Sequence, residues 1–115
     1  MGEERRKAQR TRTYRPVRLR IPGTLHVIET LTRDLTADGM RCLSPSVVPV
    51  DTDVEIELKV AAGEELVFRG QAVWFRTIPE SEQFDLGISF HDIPTRDKRR
   101  LSACLDRLSR HLTPA

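Results

Sequence analysis

The sequence is poor in residues that cross-link a chain or anchor it in a membrane. Its two cysteines, Cys42 and Cys104, lie far apart and form no CxxC pair. We therefore expect two reduced, buried thiols in a cytoplasmic protein, with neither a disulfide nor a metal site. No apolar run approaches the roughly 20 residues of a membrane span, and no hydrophobic segment follows the charged N-terminus, so we predict neither a membrane segment nor a secretory signal.

Enzyme motifs are also missing. No serine lies in a nucleophile motif, neither cysteine has a histidine neighbour, and the six glycines are scattered singly rather than grouped in a phosphate-binding loop. We predict a protein that is not an enzyme and needs no cofactor. Only six residues are aromatic, which argues against the base-stacking surface of a nucleic-acid-binding barrel.

The charge is unevenly distributed along the chain. The net charge is +2, yet residues 1–20 hold eight basic and two acidic residues, and the rest of the chain is acidic on balance. Seven of the eight basic residues are Arg, whose planar fork pairs with phosphate or a guanine edge and stacks on bases. This basic arm predicts an anionic partner; the alternative is a solvated, disordered start that aids solubility.

Alternating apolar and polar residues predict a series of short strands after the arm. The predicted strands cover residues 14–21, 25–32, 40–43, 53–59, 66–76 and 84–91. Gly70 marks a predicted bend or bulge within the longest of them. Because no helix separates the strands, the pattern favours an antiparallel barrel or sandwich.

A single helix is predicted at the C-terminal end. Thr95 is a suitable N-cap, and Leu101, Leu105, Leu108 and Leu112 recur at helical spacing on one face. We expect this face to pack on the barrel, with a dimer contact as the second possibility. The chain is thus expected to be a monomer or a weak homodimer.

Two motifs and the order of the predicted strands together resemble the pattern of a known protein family. Arg6-Lys-Ala-Gln-Arg10 is an RxxxR, and Asp34-Leu-Thr-Ala-Asp-Gly39 is similar to a [D/N]xSxxG motif with Thr36 in place of Ser. With the Val73-Trp-Phe-Arg76 strand, and with a final strand over residues 84–90 followed by a helix, this layout resembles the PilZ domain, the bacterial receptor for cyclic di-GMP. The resemblance implies a six-stranded antiparallel β-barrel with a C-terminal helix, preceded by a switch segment that folds over the ligand.

On this basis the chain divides into three parts. Residues 1–13 are predicted to be a flexible basic arm, residues 14–93 the barrel, and residues 94–115 the helix and tail. The chain carries no predicted output domain, so a receptor of this kind would relay its signal to a separate effector protein that the sequence does not identify.

The motif residues suit the chemistry of cyclic di-GMP, which carries two phosphates and two guanines. Arg6 and Arg10 each present a fork to a guanine edge or a phosphate. Asp34 can accept from guanine N1–H and N2–H₂, a donor pair that adenine lacks. The Thr36 hydroxyl can reach a phosphate or guanine N2, and Gly39 permits a tight turn or a close approach of the ligand.

Three further residues are candidates for ligand contact. Trp74 either stacks on a guanine or fills the core; if Val73 and Phe75 face inward, it faces outward with Arg76, which could contact a phosphate. Arg5 directly precedes the RxxxR, and the resemblance associates an Arg there with two intercalated ligand molecules.

Two other classes of function compete with this interpretation. One is a PilZ-like adaptor that has lost its ligand and acts through protein contacts, which Thr36 in place of Ser keeps open. The other is a small barrel that binds nucleic acid through its basic arm, which the scarcity of aromatic residues disfavours.

Overall fold

The computed structural model describes residues 11–12 and 14–112. This part of the chain contains seven strands and one helix. They are β1 (Thr11–Arg12), β2 (Pro16–Arg20), β3 (Val27–Leu35), β4 (Gly39–Ser44), β5 (Asp53–Ala61), β6 (Glu64–Thr77), β7 (Phe84–His91) and α1 (Thr95–Leu112).

Six of these strands close into an antiparallel barrel. Around the barrel β3 is followed by β2, β5, β6, β7 and β4, and a further pairing of β3 with β4 closes the ring. The predicted six-stranded barrel with a C-terminal helix is therefore confirmed. The two-residue strand β1 continues the line of β2 along β3, with Thr11 opposite Leu35 and Arg12 opposite Asp34.

The barrel is filled by the inward-facing residues of every strand. In β5, for example, Val54, Ile56, Leu58 and Val60 are buried while the residues between them are more exposed. Burial alternates with a period of two residues because successive side chains of a strand point to opposite faces and only one face lies in the core. The largest fully buried side chains are Leu19, Leu35, Val48, Val54, Ile56, Leu58, Leu66, Leu86 and Leu101.

Strand β3 corresponds to the strand predicted over residues 25–32 but begins and ends later. It extends to Leu35, so that Asp34 lies within β3 and Gly39 begins β4, and only residues 36–38 form the turn between them. The inner face is provided by Ile28, opposite Leu19, whereas Val27 and Leu31 are exposed.

The long strand β6 contains an irregularity at Val73, not at Gly70 as predicted. Ala72 pairs with Ile88 and Trp74 with Gly87, so Val73 is the extra residue of a β-bulge. The bulge breaks the alternation, with the result that Ala72 is buried while Val73, Trp74 and Phe75 are all exposed. Val73 and Phe75 thus do not face the core, which was the condition for an outward-facing Trp74, yet Trp74 is exposed as well.

The helix α1 packs one apolar face against the barrel, as predicted. Leu101 and Cys104 are buried, and Leu105 and Leu108 pack against the same core. The carbonyl of Pro94 accepts the first helical hydrogen bond, from Lys98 N–H at 2.9 Å. Pro94 is therefore the N-cap and Thr95 the first residue of the helix, one position earlier than predicted.

Both cysteines are free and buried. Burial, with a smaller contribution from the Asp85 carboxylate, raises the pKa of the Cys42 thiol to about 12. Burial also raises the pKa of Cys104, whose thiol lies 3.5 Å from the carbonyl of Val60. Within residues 11–12 and 14–112, no helix is long and apolar enough to cross a membrane.

Candidate functional site

Four residues form a row across four adjacent strands on the outer surface of the barrel. Asp34 on β3 lies opposite Arg41 on β4, Arg41 opposite Gly87 on β7, and Gly87 opposite Trp74 on β6. The row connects Asp34, the first residue of the predicted motif, with Trp74, the aromatic residue predicted as a candidate ligand contact. Asp34 and Trp74, forty positions apart in the chain, are thus brought onto one surface by barrel closure.

A cleft of about 250 Å³ opens above this row. It lies between the β3–β4 turn on one side and the bulged part of β6 on the other. Its walls are Asp34, Thr36, Asp38, Gly39, Met40, Arg41, Val73, Trp74, Gly87, Ile88 and Ser89. Pockets for drug-sized ligands measure about 300–1,000 Å³, so the cleft suits one base or one phosphate group rather than a whole dinucleotide.

The β3–β4 turn is shaped by the hydroxyl of Thr36. Its Oγ1 accepts from the backbone N–H groups of Asp38 and Gly39, both at 3.1 Å, and donates to the Gly39 carbonyl at 3.2 Å. A hydroxyl offers one donor and two acceptor positions, so all three are used within the turn. In this arrangement the Thr36 hydroxyl orders the turn.

Two glycines form the floor of the cleft by allowing close approach. A Cβ on Gly39 would lie 2.5 Å from the carbonyl oxygen of Ile88, so only glycine lets β4 come this near to β7. A Cβ on Gly87 would overlap with the indole of Trp74. The role of Gly39 is therefore contact with β7, whereas Gly87, which the sequence did not single out, provides the flat surface on which the indole rests.

Trp74 lies at the wall of the cleft and not in the core. Its side chain is 38% exposed, and the guanidinium of Arg76 lies over the indole, 5.2 Å from the ring centre. The prediction that Arg76 shares the face of Trp74 is confirmed. An exposed indole with a cation beside it can stack on a planar base and attract an anion.

A chain of charged side chains runs beneath the cleft. Arg41 Nε lies 2.9 Å from Asp34 Oδ2, and Arg41 also approaches Asp85 Oδ2 at 3.6 Å. Asp85 Oδ2 in turn lies 3.4 Å from the guanidinium of Arg76. Sequence reasoning missed Arg41 and Asp85, because only the strand register shows that they face these partners.

The structure thus brings together four of the predicted contact residues, Asp34, Thr36, Gly39 and Trp74, with Arg76 next to them. The other three predicted contacts, Arg5, Arg6 and Arg10, lie outside the described residues. The same holds for the predicted arm over residues 1–13, except for the short strand β1. In the part of the chain that the structure describes, no group of three or more His, Cys, Asp or Glu side chains could hold a metal ion.

Comparisons with known proteins give a consistent result. The PilZ domain of YcgR from Escherichia coli, solved with c-di-GMP, is similar with a TM-score of 0.74 at 16% identity, covering 94% of each chain. The MrkH–c-di-GMP complex of K. pneumonia has a TM-score of 0.77 at 16% identity and covers 95% of this chain and 53% of MrkH. The Bacillus subtilis inhibitor of motility MotI has a TM-score of 0.76 at 16% identity, covering 94% of this chain and 53% of MotI.

This chain therefore spans about half the length of MrkH and MotI. No curated protein matches its sequence. The family profile described as the PilZ domain matches residues 4–107, which is most of the chain. With this match, and with a closed barrel and C-terminal helix of the same fold as the solved PilZ domains, the chain belongs to the PilZ domain family.

Proposed function

We propose that this chain is a receptor for cyclic di-GMP, that the cleft between the β3–β4 turn and β6 holds one of its guanines, and that the basic arm completes the site. The observation that carries the proposal is the row of residues from Asp34 to Trp74 across one surface. It places a carboxylate at one end of the cleft and an exposed indole at the other. Membership of the family and the c-di-GMP complexes of YcgR and MrkH support it.

The guanine would be recognised by its face and by its edge. Its face stacks on Trp74 in place of the Arg76 guanidinium, which lies over the indole, and this contact is worth about 1–3 kcal/mol per base. Its N1–H and N2–H₂ donate to Asp34, whereas adenine has no such donor pair and forms no hydrogen bond with the carboxylate. Hydrogen bonds to a charged group contribute about 1.5–3 kcal/mol, so selectivity for guanine of roughly tenfold or more follows.

The phosphates would be held by arginines on two sides. The guanidinium of Arg76 lies over the indole of Trp74, and its side chain is mostly exposed. On the other side, the backbone of Thr11 pairs with Leu35, one residue before the turn. Arg10 directly precedes Thr11 in the sequence, and we propose that it contacts a phosphate from this side. Arg6 precedes it by four residues, and Arg5 supplies a third fork where a second ligand molecule would bring two more phosphates.

A receptor of this kind must also pass its signal to another protein. A ligand that gathers the arm over the barrel changes the surface that a partner protein meets, and we propose that a separate effector protein recognises this closed form. Binding offsets the ordering cost of the arm, about 1–2 kcal/mol per residue for the backbone, so the arm would close only when ligand is present.

Isothermal titration of the full chain with cyclic di-GMP tests the proposal, with cyclic di-AMP and GTP as controls. We expect saturable binding of cyclic di-GMP and at least tenfold weaker binding of cyclic di-AMP. Trp74→Ala should weaken binding about tenfold while the circular dichroism spectrum is retained. No binding of cyclic di-GMP by the folded protein would refute the receptor function and favour an adaptor that acts without ligand.

A further inference from the structure

The carboxylate proposed to read guanine is already occupied. Asp34 Oδ2 and Arg41 Nε lie 2.9 Å apart as an ion pair that lacks hydrogen-bond geometry, and both atoms are buried. The side chain of Asp34 is only 6% exposed. A guanine needs two acceptor positions for N1–H and N2–H₂, and one carboxylate oxygen faces Arg41 instead of the cleft. Asp34 can therefore accept both guanine donors only after Arg41 has moved.

The structure also holds a second carboxylate that can receive Arg41. Arg41 approaches Asp85 Oδ2 loosely, at 3.6 Å. The other oxygen, Asp85 Oδ1, is buried and accepts no hydrogen bond from the described residues. A buried acceptor without a donor is unfavourable, and a guanidinium offers five N–H donors in a fixed fork. A small shift of Arg41 toward Asp85 would satisfy Oδ1 and would break the ion pair of Arg41 with Asp34 in the same movement.

We propose that Arg41 is a displaceable counter-ion: it occupies Asp34 in the free protein, and a bound guanine transfers it to Asp85. The inference rests on the proposed function, since it concerns how the same cleft admits its ligand. Arg41 and Asp85 are thus positioning residues that set selectivity. A base that replaces the guanidinium with two donors displaces it, whereas a base without that donor pair leaves Arg41 on Asp34.

Asp85 should influence the affinity for cyclic di-GMP only through its effect on Arg41. Asp85→Asn removes the second anion, so Arg41 remains on Asp34 and the affinity for cyclic di-GMP should fall about tenfold, the order of one charge-assisted hydrogen bond. In the Arg41→Gln background nothing needs to be transferred, and Asp85→Asn should then change the affinity by less than about twofold. Asp85 also contacts Arg76, so the Arg76→Gln background tests that route separately; there the tenfold effect should persist.

The barrel offers a matched control on another part of its surface. Glu57 on β5 is also a partly buried carboxylate between two arginines, 3.5 Å from Arg18 and 3.6 Å from Arg20. It borders no part of the cleft. Glu57→Gln removes the same kind of ionic bridge, and we expect it to leave the affinity for cyclic di-GMP unchanged.

The decisive experiment is this set of titrations, with circular dichroism to verify folding of each variant. If wild-type protein binds cyclic di-GMP and Asp85→Asn has equal effects with and without Arg41, the proposal is refuted while the receptor function stands. If wild-type protein does not bind, the receptor function fails and the displacement proposal fails with it.

Should Arg41→Gln not fold, nitrogen-15 NMR of the wild type gives the answer directly. The Arg41 Nε–H resonance, assigned by its loss in Arg41→Lys, should shift on saturation with cyclic di-GMP because the group changes its partner. A resonance that stays unchanged at saturation would overturn the proposal.

Discussion

Replacing Gly87 by alanine tests whether the glycine floor positions Trp74. A Cβ at this position would overlap with Cε2 and Nε1 of the indole and lie 2.7 Å from Cδ2. Overpacking of this kind destabilises the folded state by about 1–3 kcal/mol. Replacing glycine also lowers the conformational entropy of the unfolded chain, which stabilises the folded state by about 0.4–1 kcal/mol. Because the indole is 38% exposed and can tilt outward, we expect a net loss of stability of about 1 kcal/mol.

Ligand binding should respond more strongly than stability. A tilted indole no longer lies parallel to the floor of the cleft, so most of the stacking contact is lost and the affinity for cyclic di-GMP should fall about tenfold. Trp74 is the only tryptophan of the chain, so a shift of its fluorescence emission to longer wavelength reports the tilt directly.

A second background separates the indole contact from other effects of alanine. In Trp74→Ala the overlap is gone, and Gly87→Ala should then be neutral or stabilising by up to about 1 kcal/mol in urea unfolding followed by circular dichroism. If Gly87→Ala costs the same stability in both backgrounds, the proposed role of Gly87 as the surface under Trp74 is wrong.

Three further predictions concern the arm and the buried thiol. Arg10→Ala should weaken cyclic di-GMP binding at least tenfold without lowering the melting temperature of the free protein; a lower melting temperature would show a structural role. Arg5→Leu should reduce the ligand stoichiometry from two to one by titration, and a wild-type value of one would contradict the intercalated pair. Above pH 9 the unfolded chain ionises Cys42 while the folded chain stays protonated up to about pH 12. The unfolding free energy should therefore fall by about 1 kcal/mol per pH unit more in wild type than in Cys42→Ala, and equal slopes would refute this.

The overall fold was within reach of the sequence because its signals are local. Alternation in β5 and β7 and the leucine spacing of α1 each reflect one face packed on a core, and the turn between β3 and β4 is rich in turn-forming residues. The order of these elements, together with the two motifs, is sufficient to indicate the barrel and its family.

The features that the sequence did not predict correctly depend on contacts between strands that are distant in the chain. The bulge at Val73 ends the alternation of buried and exposed residues in β6, but it arises from the pairing with β7 and is not evident in the local sequence pattern. Likewise Arg41 and Asp85 are ordinary charged strand residues by sequence, and only the register that sets Arg41 opposite Asp34 and Gly87 reveals their partners. The role of Gly87 was not predicted because Trp74, the residue that requires a glycine there, lies on another strand.

The placement of the cleft has a consequence for folding kinetics. Its two walls come from separate hairpins, β3–β4 and β6–β7, each of which pairs residues close in sequence. They meet only where β4 joins β7, a contact of high sequence separation whose loop-closure entropy makes it slow to form. The site therefore exists only after this junction has formed, and a ligand that binds across it stabilises the junction itself. Hydrogen exchange of β4 and β7 should consequently be slowed more by ligand than that of β2 and β5, which lie on the far side of the barrel.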